Sequence, residues 1–130
     1  MDRGALEGVR VLDFTQVWAG PYCTQLLATN GAEVIKIESE GRIDLSRLLS
    51  VTLGIHYEGK DESTLFNLLN PNTTCITLNL RKPKAVELAK EICRVSDVVT
   101  ENFRPGVMKR LGLDYEALKE VKPDIIYLSS

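Results

Sequence analysis

Apolar and polar positions along the chain follow two periods, two residues and about three and a half, and the switches between them divide it into short elements. "VRVLDF" (9–14) is a compact β-branched and apolar run that predicts a buried strand. "TQVWAGP" (15–21) is a turn. Pro21 is suited to the first helical position, because it needs no N–H there and its φ is already set. The helix it opens runs through "YCTQLLATNG", and Asn30-Gly31 closes it. "AEVIKIE" (32–38) sets Val34 and Lys36 against Ile35 and Ile37 and predicts the next strand. Strand, helix and strand with short connections make a βαβ unit, hence a parallel pair and a right-handed crossover.

Residues 39–62 are less regular, with a short helix around Leu45–Leu49 and an exposed loop over "VTLGIHYEGKDE". "STLFNLLN" (63–70) reads as a helix starting at Ser63, and "NPNT" as turn chemistry. "CITLNL" (75–80) alternates like a strand. "KAVELAKEICRV" (84–95) carries Val86, Leu88, Ala89, Ile92, Cys93 and Val95 at helical spacing. A strand over "SDVVTEN" (96–102) follows. Gly112 then ends a short helix, Asp114 caps a helix over "YEALKEV" (115–121), and "PDIIYLSS" (123–130) is the last strand. Alternation of strands and helices predicts an α/β layered domain with a mainly parallel sheet.

Composition narrows the functional classes. The 130 residues are the size of one domain, 44% hydrophobic and 26% charged, an ordinary globular balance. A net charge of −2 gives no reason to expect a nucleic-acid or membrane-surface partner. No apolar run approaches the roughly 18 residues of a membrane span, and "MDRGALEG" lacks the apolar core of a signal peptide. Cys23, Cys75 and Cys93 are widely spaced with no CxxC pair, which predicts buried free thiols in a reducing, cytoplasmic compartment and no metal site. His56 lies in a polar stretch and reads as a solvated loop residue.

In an open parallel sheet, ligands bind beyond the carboxyl ends of the strands. Four segments hold that position: Thr15–Pro21, Ser39–Arg42, Asn79–Arg81 and Asn102–Gly106. Neither GxGxxG nor GxxxxGK[ST] occurs, so the standard dinucleotide and P-loop fingerprints are missing. The loops carry cations (Arg42, Arg81, Arg104, Arg110), aromatics (Trp18, Phe103) and amides (Asn79, Asn102). Arginine matches phosphate oxygens with a planar fork of donors, and an apolar shelf suits a purine. Taken one at a time, each residue has a plain alternative as surface charge, core plug or turn; taken together, they favour a site for a phosphorylated adenine nucleotide. No nucleophile–base pair is visible. Cys23, near a helix start, lacks a partner histidine, and Asp13 reads as a polar sheet-end residue.

The segments "LEGVRVLDFTQVWAGPYCTQLLATNGAEVIKIE", "LNLRKPKAVELAKEI", "DVVTENFRPGVMKRLGLDYEAL" and "PDIIYLSS" together resemble the opening part of the family III CoA-transferases. That family includes formyl-CoA and carnitine-CoA transferases and the related α-methylacyl-CoA racemases. The resemblance implies a Rossmann-like large domain that binds coenzyme A, in interlocked dimers. It implies a CoA rim of Trp18 and Ala19, then Leu78, Asn79, Leu80 and Arg81, then Asn102, Phe103 and Arg104, and finally Arg110. Arg81, Arg104 and Arg110 would meet phosphates, and Leu78 and Leu80 would flank the adenine.

Departures from the family pattern qualify the specificity. Formyl-CoA transferases of this type have Gln where this chain has Trp18, so formyl or oxalyl specificity does not carry over. Many members have Arg where Ser39 stands, so that anionic anchor is either lost or supplied by Arg42. Thr73 and Thr74 replace a Lys-Arg pair. The family's acyl-carrying Asp, a nucleophilic carboxylate, would lie beyond Ser130. The resemblance thus makes residues 1–130 the N-terminal CoA-binding part of a large domain, incomplete relative to the family, without the small domain and C-terminal part, and inactive alone. The partners implied are an acyl-CoA, a carboxylic acid and a second copy or complementary chain. The alternatives are a non-catalytic interaction subunit, half of a split enzyme, or a racemase parent.

Overall fold

The computed structural model describes residues 4–52, 59 and 61–130. Five strands are named in chain order: β1 (Arg10–Asp13), β2 (Glu33–Glu38), β3 (Thr73–Thr77), β4 (Val98–Glu101) and β5 (Ile126–Ser129). They form one sheet in the order β3-β2-β1-β4-β5, with every neighbouring pair parallel. The chain order reverses between β1 and β4, so their carboxyl ends open the crevice where such sheets bind ligands. The predicted α/β class and parallel sheet are what the structure has. His56 falls outside the described residues, as does most of the loop predicted around it.

Among the described residues six helices connect the strands: α1 (Ala19–Thr29), α2 (Ser46–Thr52), α3 (Thr64–Leu69), α4 (Pro83–Arg94), α5 (Val107–Leu111) and α6 (Tyr115–Val121). The two-residue alternation of the strands splits the core. Leu12, Ile37 and Val99 point to one face and pack with Ala89 and Cys93 of α4, Met108 of α5 and Leu118 of α6. Val11 and Val34 point to the other and pack with Ala28 of α1 and Ala32. The sheet is therefore covered on both faces, as a parallel sheet requires.

Several boundaries differ from the sequence reading. Helix α1 starts at Ala19, so Pro21 is its third residue, still within the first turn, where an N–H has no helical partner. Gly20 lies so close to Thr15 that a Cβ there would come within 2.4 Å of the Thr15 Cβ. Strand β3 begins at Thr73 and ends at Thr77, so Leu78–Leu80 leave the sheet, although Leu78 N still donates to Glu38 O at 2.8 Å. Asp114 occupies the N-cap of α6 but makes no side-chain cap bond, whereas the Ser63 hydroxyl does cap α3 by accepting from Phe66 N. Of the three thiols only Cys93 is buried; Cys23 is half-buried and Cys75 exposed, and all three are free.

Candidate functional site

Beyond the carboxyl ends of β1, β2 and β4 lies a hollow of about 170 Å³. Phe14, Ile37, Leu78, Leu80, Phe103 and Leu111 give it apolar walls, and Gln16, Glu38, Arg42, Asn79 and Arg81 add polar groups. An open groove of about 590 Å³ continues from it, sharing Leu80, Arg81 and Leu111 and reaching Arg110 and Pro83. Together they reach the size of a small-molecule site, roughly 300–1,000 Å³.

Of the residues read from sequence, Leu78, Asn79, Leu80, Arg81 and Phe103 share the hollow, and Arg110 joins through the groove. The remaining four sit elsewhere. Trp18 and Ala19 are exposed where α1 begins, and Arg104 is exposed in the turn after β4. Asn102 uses its amide on the backbone of Gln16, accepting from Gln16 N at 2.8 Å and donating to Gln16 O at 2.7 Å. It ties the β1 loop to the β4 loop across the crevice rather than facing a ligand. Gln16, Gly41, Val107 and Leu111 line the hollow unforeseen; Gln16 and Gly41 lie within segments already placed at strand ends.

Each loop is held from beneath by a buried polar layer. Asp13, Lys36 and Thr100 lie side by side in register across β2, β1 and β4, all fully buried under α1. Lys36 Nζ stands 3.4 Å from Asp13 Oδ2, 3.3 Å from Asp44 Oδ2 and 2.5 Å from Thr15 O. Asp13 Oδ1 accepts from Thr15 N and from the Thr100 hydroxyl, both at 2.8 Å. Asp44 Oδ1 accepts from Val17 N at 2.9 Å, and Val17 has φ of 74°, an outlier for a β-branched residue. A strained backbone persists only where its surroundings over-determine it. Here Asp44 and Lys36 do so, on the two sides of Val17 and Thr15.

The hollow's one carboxylate is neutralised in place. Glu38 accepts from Arg47 Nη2 at 2.7 Å, from Arg47 Nε at 3.0 Å and from Asp44 N at 3.1 Å. Burial alone would raise the Glu38 pKa; the hydrogen bonds and charge of Arg47, with the Asp44 N–H, outweigh it and hold the carboxyl below its ordinary value. The Arg47 guanidinium also pairs with Asp61 at 2.9 Å and lies 3.4 Å from the Phe66 ring centroid. Partial desolvation of the sulfur and the nearby Glu38 carboxylate raise the pKa of the Cys75 thiol, and burial raises that of Cys93, so neither is an activated nucleophile.

The rim of the site is cationic in a particular way. Arg10 pairs with Glu33 and Arg94 with Glu91 away from it, and Arg47 pairs with Asp61 and with Glu38 of the hollow wall. Arg42, Arg81 and Arg110, which line the hollow and its groove, and Arg104, exposed in the turn after β4, have no salt bridge among the described residues. The arrangement presents apolar walls beside unmatched guanidinium groups, chemistry that suits an anion carried on a flat apolar body.

The family model for CoA-transferase family III matches residues 6–130. The chain belongs to CoA-transferase family III. A formyl-CoA:oxalate CoA-transferase of Rhodopseudomonas palustris (strain TIE-1) is 45% identical over 125 residues, and an acyl-CoA transferase of Fusarium pseudograminearum is 41% identical over 128. In both matches 96% of this chain is covered, and it spans only 28% of each relative's length. Among solved structures, a CAIB/BAIF family protein from Brucella suis superposes with a TM-score of 0.87 at 33% identity, covering 98% of this chain and 33% of that one. A hypothetical protein, Rv3272, from Mycobacterium tuberculosis superposes with a TM-score of 0.85 at 35% identity, covering 99% and 34%. This family III chain thus corresponds to about a third of its solved relatives. Among its described residues no helix is long and apolar enough to cross a membrane.

Proposed function

We propose that the hollow and groove seat the adenosine-phosphate end of coenzyme A, and that residues 1–130 are the N-terminal CoA-binding part of an acyl-CoA:carboxylate CoA-transferase. The observation that carries this reading is the set of arginines without carboxylate partners around an apolar hollow, in a chain where the other described arginines are paired. Leu78 and Leu80 flank the adenine, and Arg81 and Arg110, which share the groove, meet phosphates. Trp18 and Ala19, at the start of α1, face the acyl end. Asn102 acts by holding the β1 loop.

In the parent enzyme, an aspartate outside these residues attacks the acyl-CoA thioester, forming a mixed anhydride and releasing the CoA thiolate; the CoA then passes to a second carboxylic acid, and the first acid leaves as its free carboxylate. Glu38 does not serve that purpose, because both its oxygens are engaged by Arg47 and Asp44. The parent enzyme is read as pairing with a second copy or a complementary chain.

Titration calorimetry of CoA into the folded 130-residue chain tests the reading. Binding is expected, weaker by about fivefold or more in Arg81→Ala or Arg110→Ala, given what a hydrogen bond to a charged group contributes. Arg94→Ala, on a paired arginine, is expected to bind as the wild type does. A folded sample that binds no CoA overturns the proposal.

A further inference from the structure

Three consecutive backbone N–H groups of the β1 loop donate to side chains from three different segments. Thr15 N donates to Asp13 Oδ1 of β1 at 2.8 Å, Gln16 N to Asn102 Oδ1 beyond β4 at 2.8 Å, and Val17 N to Asp44 Oδ1 beyond β2 at 2.9 Å. The Thr15 and Gln16 carbonyls accept from Lys36 and Asn102. The loop thus takes its shape from side chains and not from a backbone ladder. Val17 is its strained member, with φ of 74°. A β-branched residue is an outlier there, and such conformations cluster at functional sites, where the surroundings hold a geometry that the chain would otherwise leave.

Asp44 is fully buried, and its other contacts stay on the β2–α2 side. Its Oδ1 also accepts from Ser46 N at 2.9 Å and from the Ser46 hydroxyl at 2.8 Å, and its Oδ2 faces Lys36 Nζ of β2 at 3.3 Å. Asp44 N donates to Glu38 Oε2 at 3.1 Å, which fixes the residue to the end of β2. Only the bond to Val17 crosses to the crevice loop. The residues flanking Val17 are those at the site: Gln16 lines the hollow, and Trp18 stands exposed where α1 begins. Turning φ at Val17 back to the ordinary negative range would rotate the segments on its two sides against each other, and Gln16 and Trp18 would lose their present relation.

We infer that Asp44 is a positioning residue of the crevice: by accepting from Val17 N it holds the left-handed backbone that sets Gln16 against the hollow and sends the chain on to Trp18. That Gln16 then meets a ligand rests on the nucleotide reading above; that Asp44 sets the loop does not.

NMR of the 130-residue chain, with calorimetry of CoA, tests the inference. In wild type the Val17 Cα and Cβ shifts are expected to be those of a left-handed residue. Asp44→Ser keeps a hydroxyl for Ser46 N and is too short to reach Val17 N. Its Val17 shifts are expected to move to the ordinary range, and its CoA affinity to fall about fivefold, the equivalent of one polar contact. Asp44→Asn keeps an acceptor oxygen without the charge; it is expected to retain the Val17 shifts and to lose less CoA affinity than Asp44→Ser. Val17→Pro attacks the same bond from its other end, since proline has no N–H and fixes φ near about −65°. It leaves the contacts of Asp44 with Ser46 and Lys36 in place. It is expected to lose as much CoA affinity as Asp44→Ser with a smaller fall in urea midpoint, and the two losses are not expected to add in the double variant. Left-handed Val17 shifts in Asp44→Ser, wild-type CoA affinity in Val17→Pro, or equal damage from Asp44→Asn and Asp44→Ser overturns the assignment. Should Asp44→Ser not fold, Val17→Pro and Asp44→Asn carry the same decision. A wild-type chain that binds no CoA overturns the nucleotide site, while the Val17 shifts of the Asp44 variants still decide whether Asp44 sets the loop.

Discussion

Asn102 and Gln16, 86 residues apart, exchange two hydrogen bonds: Asn102 Oδ1 accepts from Gln16 N at 2.8 Å and Asn102 Nδ2 donates to Gln16 O at 2.7 Å. The pair mimics a ladder step just where β1 and β4 end, and it sets the distance between the two loops that frame the crevice. Asn102→Ala leaves a half-buried N–H and C=O without partners, and the expected loss is about 1–3 kcal/mol. Asn102→Asp does not restore it, because the Gln16 carbonyl then faces a second acceptor. Urea denaturation checks this; a midpoint within error of wild type for Asn102→Ala would show that the latch is immaterial.

How much of this was legible before the structure can be argued from such pairs. The strands and helices were readable because apolar residues such as Leu12, Ile37, Val99 and Ala89 keep one period per element and face one core. The convergence of Leu78–Arg81 and Phe103 followed from parallel order alone, since every strand's carboxyl end lies on one side. Asn102 stands in the strand-end segment that the sequence marks, but whether an amide serves a ligand or a neighbouring backbone depends on a distance between loops, which a local pattern does not encode. The same holds for Lys36. In a strand its alternation with Ile35 and Ile37 is ordinary, and only the register of β1 against β2 brings Asp13 beside it. The left-handed Val17 left no signal, because its conformation is imposed by Asp44 from 27 residues away.

Lys36 is the centre of the polar layer, and its removal tests whether that layer supports the loops. Asp13 and Asp44 are both fully buried, and Lys36 is the cation between them. Lys36→Met keeps the length of the side chain and leaves two carboxylates buried together without it. Breaking a buried pair in this way typically costs about 3–5 kcal/mol. The triple variant Lys36→Met, Asp13→Asn, Asp44→Asn removes the charges as well and is expected to recover part of that loss. Chemical denaturation of the two variants side by side is the measurement; equal stability of Lys36→Met and wild type would mean the ion cluster contributes nothing.

The Glu38–Arg47 pair gives the chain a predictable acid limb. Glu38 has a folded pKa below its ordinary 4.5, despite burial that raises it, because Arg47 and the Asp44 N–H stabilise the carboxylate. As the pH falls, the unfolded chain takes up this proton first. The contribution to stability is therefore complete above about pH 4.5 and is lost as the pH drops through that value toward the folded pKa. Glu38→Gln removes the titration: the variant is expected to be less stable at pH 7, because the Arg47 guanidinium loses a carboxylate partner, and its stability is expected to fall less steeply between pH 5 and pH 3. Urea midpoints measured across that range decide the matter. Parallel curves for Glu38→Gln and wild type would mean that Glu38 titrates alike in the folded and unfolded chain.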